Sequence, residues 1–186
     1  PLGITDIENG IAADKVANLA SYKDGIEQIC KSGIARGIIT KKIDKFLTDD
    51  VIDATVKSKI KNSALTYSES EIKNLVFAFD ELGMTDFADF ENVVFKDKIK
   101  DLNGPSIAED GKSKLDVIYR SDIIIGAFTK SVKDTFEKEE ELVYSYKAER
   151  SDIPVLRQRE IFAIVDLLEG KDLENLDVAV IPVSDV

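Results

Sequence analysis

Apolar residues recur along most of the chain at spacings of three and four, a pattern typical of amphipathic helices that pack on one another. The spacing predicts about seven helices, and we expect an all-α fold, a single-domain helical bundle. The predicted helices span approximately residues 13–31, 34–47, 51–64, 68–82, 85–102, 113–146 and 151–170.

The clearest helix start is at Ser68, because Glu71 stands three residues later and the two side chains can form a capping box. Gly83 is expected to end that helix, as Gly33 is expected to end the first one. Between Ser113 and about Tyr146 the chain has no proline and a single glycine, Gly126. This stretch predicts one long helix, kinked near the glycine.

Three segments depart from the helical pattern. Residues 1–3 resemble a scar left by protease cleavage of an expression tag, and residues 4–186 are expected to form the helical domain. The run Asn103-Gly104-Pro105-Ser106 predicts a loop over residues 103–111, a possible seam between two helical halves. Residues 177–186 predict a short extended C-terminal arm or edge strand, because their apolar residues are mostly β-branched and include a proline.

Composition excludes several kinds of chemistry. The 186 residues include 25 Lys and Arg, 36 Asp and Glu, one Cys and no His, with a net charge of -11. Without histidine there is no Ser-His-Asp or Cys-His catalytic group and no imidazole metal site. We expect no cofactor. No run approaches the roughly 18 to 20 apolar residues that span a bilayer. A single cysteine fits a reducing compartment, so the expected location is the cytoplasm of the host cell, or the virion if the protein is viral.

The single cysteine, Cys30, lies at apolar spacing on the first predicted helix. A free cysteine in that position is typical of a protein core. Because no histidine is available as a base, we predict a buried structural thiol rather than a nucleophile.

Acidic residues are the remaining candidates for catalysis. All-α pyrophosphohydrolases hold magnesium with carboxylates one helical turn apart on two helices, and Glu137 with Glu140 has that spacing. Glu160 and Asp166 are six residues apart and point to different faces. We therefore assign no metal or catalytic residue and predict a solvated acidic surface. Its central residues, which we expect to contact a partner, are Glu139, Glu140 and Glu141.

Charge is unevenly distributed. Between Lys23 and Lys61 nine basic residues stand against six acidic ones, whereas from Glu160 onward seven acidic residues stand against Lys171 alone. A net charge of -11 repels a polyanion, so the sequence does not favour nucleic-acid binding.

The C-terminal arm carries the functional hypothesis, because an apolar segment after the last helix is poorly suited to a free end. Pairing with another chain would cover it. The predicted contact residues are Val178, Val180, Ile181, Pro182 and Val183.

We therefore predict a non-enzymatic interaction or assembly protein that forms a homo-oligomer, such as a phage or virion component of a ring or filament. Two alternatives remain open. One is an acidic inhibitor or immunity-type protein that binds a basic partner. The other is an all-α magnesium hydrolase that uses carboxylates such as Glu137, Glu140, Glu160 and Asp166.

Overall fold

The computed structural model describes residues 25–61, 65–84, 102, 104–136, 155–156, 158 and 161. These residues form helices and include no strand, which agrees with the predicted all-α class. The helices are α1 Ile26–Cys30, α2 Gly33–Phe46, α3 Ala54–Ile60, α4 Glu69–Leu82, α5 Lys114–Ile118 and α6 Asp122–Phe136. Of the predicted helix over residues 85–102, only Leu102 is among the described residues. The predicted arm over residues 177–186 lies entirely outside them.

The first two helices are separated by a short turn. The prediction that Gly33 ends the first helix is wrong, because α1 ends at Cys30 and Gly33 is the first residue of α2. The reason is Ser32, whose hydroxyl accepts a hydrogen bond from the backbone N–H of Ala35 at 3.3 Å and so caps α2.

The third helix begins later than predicted. The helix predicted from about residue 51 begins at Ala54. The backbone carbonyl of Thr48 accepts hydrogen bonds from the N–H groups of Val51 at 3.0 Å and Ile52 at 3.1 Å, which closes a separate turn.

Helix α4 agrees with its predicted boundaries. Ser68 accepts a hydrogen bond from the Glu71 N–H at 3.0 Å, and Gly83 ends the helix in the left-handed conformation with φ of 64°. Most of the length of α4 is buried. Its buried residues are Glu71, Ile72, Leu75, Val76, Ala78, Phe79, Glu81 and Leu82.

The predicted single helix from Ser113 to Tyr146 is wrong, because the chain turns between α5 and α6 at residues 119–121. Ser121 starts the second of these helices. Its carbonyl accepts a hydrogen bond from the Ile125 N–H at 3.1 Å, and its hydroxyl accepts one from the Ile124 N–H at 3.3 Å. The turn lets α5 and α6 each pack against α4.

Gly126 lies inside α6, where the helix crosses α3. A Cβ atom built on it would lie 2.7 Å from Ile52 Cδ1 and 2.9 Å from Val56 Cγ1. These distances are shorter than van der Waals contact, so glycine at this position allows the two helices to approach closely.

The predicted loop is present in the described residues. Residues 104–113 form a turn in which the Ser106 N–H donates to the Lys112 carbonyl at 2.8 Å and the Lys114 N–H donates to the Gly104 carbonyl at 2.9 Å. Buried residues on both sides of the loop, such as Phe79 and Ile123, belong to one core cluster.

In the stretch of the predicted last helix, Val155 and Leu156 are not helical, whereas Gln158 and Ile161 are. Hydrogen bonds between described residues hold this part of the chain against earlier elements, and one of them joins the Tyr119 hydroxyl to the Leu156 carbonyl at 3.4 Å. The Leu156 N–H donates to Thr129 Oγ1 at 3.0 Å, and Gln158 Nε2 donates to Asp116 Oδ1 at 2.9 Å.

Candidate functional site

The residues that the sequence singles out for function lie outside the described residues. They are Val178, Val180, Ile181, Pro182 and Val183 of the arm, Glu139, Glu140 and Glu141 of the acidic surface, and the magnesium candidates Glu137, Glu160 and Asp166. The hypotheses about them stay predictions. The described residues present three other features: two buried carboxylates, a polar cluster around Tyr67, and an exposed face of α2.

Two glutamates are buried on α4, Glu71 with 5% and Glu81 with 2% of its surface exposed. A buried carboxylate is costly to a fold unless its oxygens accept hydrogen bonds, and each of these does so from a different segment. Ten residues of helix separate them, a rise of about 15 Å. They therefore occupy the two ends of α4.

Glu71 binds the start of α6. Its Oε1 accepts from Ser121 Oγ at 2.8 Å and from the Ile123 N–H at 3.0 Å, and its Oε2 accepts from the Asp122 N–H at 3.0 Å. The carboxylate thus satisfies backbone donors of the first helical turn, which have no partner inside the helix. The predicted capping box is only half formed, because the Ser68 hydroxyl caps α4 while the Glu71 carboxylate reaches another helix.

The protonation of Glu71 is shifted by its surroundings. Burial raises its pKa from the usual 4.5 to about 7, and the nearby Asp122 charge raises it as well. The hydrogen bonds from Ser121, Asp122 and Ile123 act in the opposite direction, since they stabilise the charged form. Burial outweighs them, so the carboxyl titrates close to neutral pH.

Glu81 holds the loop that precedes α5. The Ile107 N–H donates to its Oε2 at 2.9 Å, the Ala108 N–H donates to its Oε1 at 2.8 Å, and the Ser106 hydroxyl also donates to Oε1. Ile107, at the tip of this turn, has 68% of its surface exposed. The side chains of both buried glutamates therefore fix the backbone of later segments.

Sequence reasoning missed the tertiary roles of these glutamates, although a signal existed for one of them. Glu71 shares a face with Leu75, Ala78 and Leu82, at helical spacings of four, three and four, and those residues are buried. A charged residue on a core-facing stripe indicates a buried polar contact. No local signal identifies its partner Ser121, which is 50 residues away.

A second polar cluster joins α2 to the start of α4. The Tyr67 hydroxyl donates to Asp44 Oδ1 at 2.9 Å, and the Tyr67 N–H donates to Thr40 Oγ1 at 3.1 Å. Lys61 pairs with Asp44, and its ammonium lies 5.6 Å from the centre of the Tyr67 ring. Burial, with the Asp44 charge, raises the pKa of Tyr67 above its usual range. The phenol is therefore a hydrogen-bond donor rather than a base.

Cys30 is fully buried, which confirms the prediction of a buried thiol. Burial raises the pKa of Cys30 from 9.0 to about 11, with a further rise from the Glu69 charge, while the Arg36 charge lowers it. The Arg36 guanidinium donates to the Cys30 carbonyl at 2.5 Å. At neutral pH the sulfur is a thiol, and a thiol is a poor nucleophile.

Helix α2 presents an exposed face made of Ile34, Ile38, Lys41 and Lys45, which we call the α2 outer face. Ile34 has 63% of its surface exposed, Ile38 is half-buried, and both lysines are exposed. The four residues follow spacings of four, three and four, so they lie on one side of the helix. The core side is formed by Ala35, Ile39, Thr40 and Ile43.

The described residues contain no group of three or more Asp, Glu or Cys side chains arranged to hold a metal ion. In the same part of the chain, no helix is long and apolar enough to cross a membrane. Comparison with protein-family models, with curated proteins and with solved structures gave no match.

Proposed function

We propose that the protein is a non-enzymatic interaction or assembly protein that self-associates through its C-terminal arm, residues 177–186. The observation that carries the proposal is the α2 outer face, where the exposed Ile34 and the half-buried Ile38 lie beside two exposed lysines. Exposed apolar side chains that share a face favour burial against a partner. The apolar run from Val178 to Val183 supplies a second surface of the same kind within the sequence.

The roles of the buried polar groups support this proposal. The side-chain oxygens of Glu71 and Glu81 accept hydrogen bonds from backbone N–H groups and serine hydroxyls. Tyr67 and Asp44 bond to each other. These groups stabilise the positions of helices and loops, which is what a rigid binding scaffold requires.

A second candidate function is an acidic inhibitor or immunity-type protein. It is favoured by the net charge of -11 and by the sequence from Glu137 to Glu141, which contains four glutamates. Such a protein would present its carboxylates to a basic partner. Replacing Glu139, Glu140 and Glu141 by Gln should then abolish partner binding while the helical circular dichroism spectrum is retained.

The test of the assembly proposal is the mass in solution of the full chain, measured by light scattering or sedimentation over a range of concentrations. We expect a mass above that of one 20.6 kDa chain. Deleting the residues after Asp177 should reduce the mass to that of a monomer with an unchanged circular dichroism spectrum. A full chain that stays monomeric at high concentration would contradict self-association. An increase in melting temperature with magnesium would instead favour the hydrolase alternative.

A further inference from the structure

The apolar and the basic residues of the α2 outer face lie at opposite ends of that face. Ile34 and Ile38 form its N-terminal half, and Lys41 and Lys45 form its C-terminal half. From Ile34 to Lys45 the helix rises about 17 Å. Neither Lys41 nor Lys45 forms an ion pair with another described residue, so the two outer-face lysines are available for an acidic partner.

In residues 174–181 the acidic residues come before the apolar ones, whereas in the α2 outer face the apolar residues come before the basic ones. Glu174 and Asp177 precede the apolar run Val178-Ala179-Val180-Ile181. From Glu160 to the end of the sequence seven acidic residues accompany one lysine, whereas α2 contains four basic residues and one acid. The acidic part of one segment therefore matches the basic half of the other, and the apolar parts match as well.

We propose that the α2 outer face of one copy binds residues 174–183 of a second copy, with the two segments antiparallel. The acidic residues Glu174 and Asp177 then lie at the lysine end of the face, and the apolar run from Val178 to Ile181 lies at the isoleucine end. An extended segment from Glu174 to Ile181 spans about 23 Å, enough to run along the roughly 17 Å of helix from Ile34 to Lys45. This inference rests on the proposed self-association and identifies the surface that receives the arm.

The charges favour a segment of this protein over an anionic membrane as the occupant. A helix face of isoleucine and lysine also suits anionic lipid, but the whole chain carries a net charge of -11 and is repelled by an anionic surface. The C-terminal acids are present wherever the lysines are. Binding to lipid is therefore an outcome that the experiment has to detect.

The experiment measures self-association of the full chain and of two charge-reversed variants. Lys41→Glu with Lys45→Glu should raise the dissociation constant of self-association by at least about tenfold, because attraction to the acidic end of the arm becomes repulsion. Glu174→Lys with Asp177→Lys should have the same effect. A mixture of the two variants should associate again, since each supplies the surface that the other lacks. A purely structural effect of the substitutions would not be rescued by mixing.

The matched control is Lys112→Glu with Lys114→Glu, which makes the same change in net charge in the loop before α5 and at its first residue. This control should associate like the unchanged protein. Circular dichroism of every variant establishes that it is folded. Association of the unchanged protein should also weaken as salt is raised from 50 to 500 mM, because salt screens exposed charges.

The outcomes separate this inference from the proposed function. If truncation after Asp177 dissociates the oligomer but reversal of Lys41 and Lys45 does not, the arm binds elsewhere and the inference is wrong while the proposed function stands. A monomeric full chain contradicts both. Binding of the unchanged protein to phosphatidylserine vesicles that depends on Lys41 and Lys45, without a change in self-association when they are reversed, assigns the face to lipid and overturns the inference.

Discussion

Ser121 donates a hydrogen bond to Glu71 across 50 residues of sequence, at 2.8 Å between Oγ and Oε1. Glu71 is on the first turn of α4, and Ser121 immediately precedes the first turn of α6. The same carboxylate accepts the N–H groups of Asp122 and Ile123. A side chain of one helix therefore caps another helix, and the energetics of this contact depend on its protonation.

Stability should fall as the pH rises towards neutrality, and Glu71 should be a cause. Because its pKa is about 7 in the folded protein and 4.5 is its usual value, the folded state binds the proton more tightly than the unfolded state. The resulting stabilisation is fully present below pH 4.5 and is lost as the pH rises through 7. The shift corresponds to roughly 3 kcal/mol at most.

Urea unfolding of the unchanged protein and of Glu71→Gln between pH 5 and 8 tests this. The glutamine cannot titrate, so the difference in unfolding free energy between the two proteins should change in favour of the variant as the pH rises. Glu69→Gln on the same helical turn is the control. Parallel pH profiles for the unchanged protein and Glu71→Gln would show that Glu71 does not titrate in this range.

Glu81→Ala should loosen the turn before α5. It removes the carboxylate that accepts from the N–H groups of Ile107 and Ala108, of which only the Ala108 N–H has another acceptor, Ser106 Oγ at 3.0 Å, and the loss of hydrogen bonds to a carboxylate costs about 1 to 3 kcal/mol. Glu109→Ala removes a partly exposed ion pair with Arg120, so it should destabilise the protein less than Glu81→Ala does. Urea unfolding gives both values, and equal losses for the two variants would contradict the assigned role of Glu81.

Replacing either of two helical glycines by alanine should change the stability of the protein, but in opposite directions. Gly126→Ala brings a methyl group to within 2.7 Å of Ile52 Cδ1, and we expect a destabilisation of about 1 kcal/mol or more despite the better helix propensity. The Cβ of Gly37→Ala meets no atom within 4 Å, so propensity alone should stabilise the protein by up to about 1 kcal/mol. Thermal melts measure both changes.

The cause of the Gly126 effect can be isolated with Ile52→Val, which removes the Cδ1 atom. Gly126→Ala should cost less in the Ile52→Val background than in the unchanged protein, because the closest contact is gone. If its cost is the same in both backgrounds, the crossing of α3 and α6 does not depend on this contact.

Cys30 should react slowly with a thiol reagent in the folded protein. It is fully buried, and its pKa of about 11 leaves little thiolate at pH 8. In urea the same thiol should react at the rate of a free cysteine. Reaction within seconds under native conditions would show that the sulfur is accessible and would support a role for Cys30 as a nucleophile.

The sequence predicted what depends on neighbours in the chain. Ser68 and Gly83 fix the ends of α4 through local capping, and both were identified from residue type and spacing. Two errors came from tertiary structure. Nothing local shows that the Glu71 carboxylate leaves its own capping box, or that the stretch after Ser113 breaks at Ser121 to place α5 and α6 against α4.

The α2 outer face could not be identified from the sequence for a similar reason. Helix α2 has isoleucines at positions 34, 38, 39 and 43, and these fit two overlapping faces. Only the packing of α2 shows that Ile39 and Ile43 are in the core while Ile34 is at the surface. A hydrophobic pattern gives the period of a helix, but a helix with apolar residues on two sides does not reveal which side is covered.

The capping of α6 by Glu71 also constrains the order in which the protein folds. Ser121 and the first two residues of α6 make three hydrogen bonds to a residue that is 50 to 52 positions earlier, so these bonds form only after the intervening chain has closed. Until then the backbone N–H groups of Asp122 and Ile123 lack this acceptor, and the first turn of α6 is less stable. The start of α6 should therefore open together with the start of α4, and their amide protons should exchange with solvent as one cooperative unit.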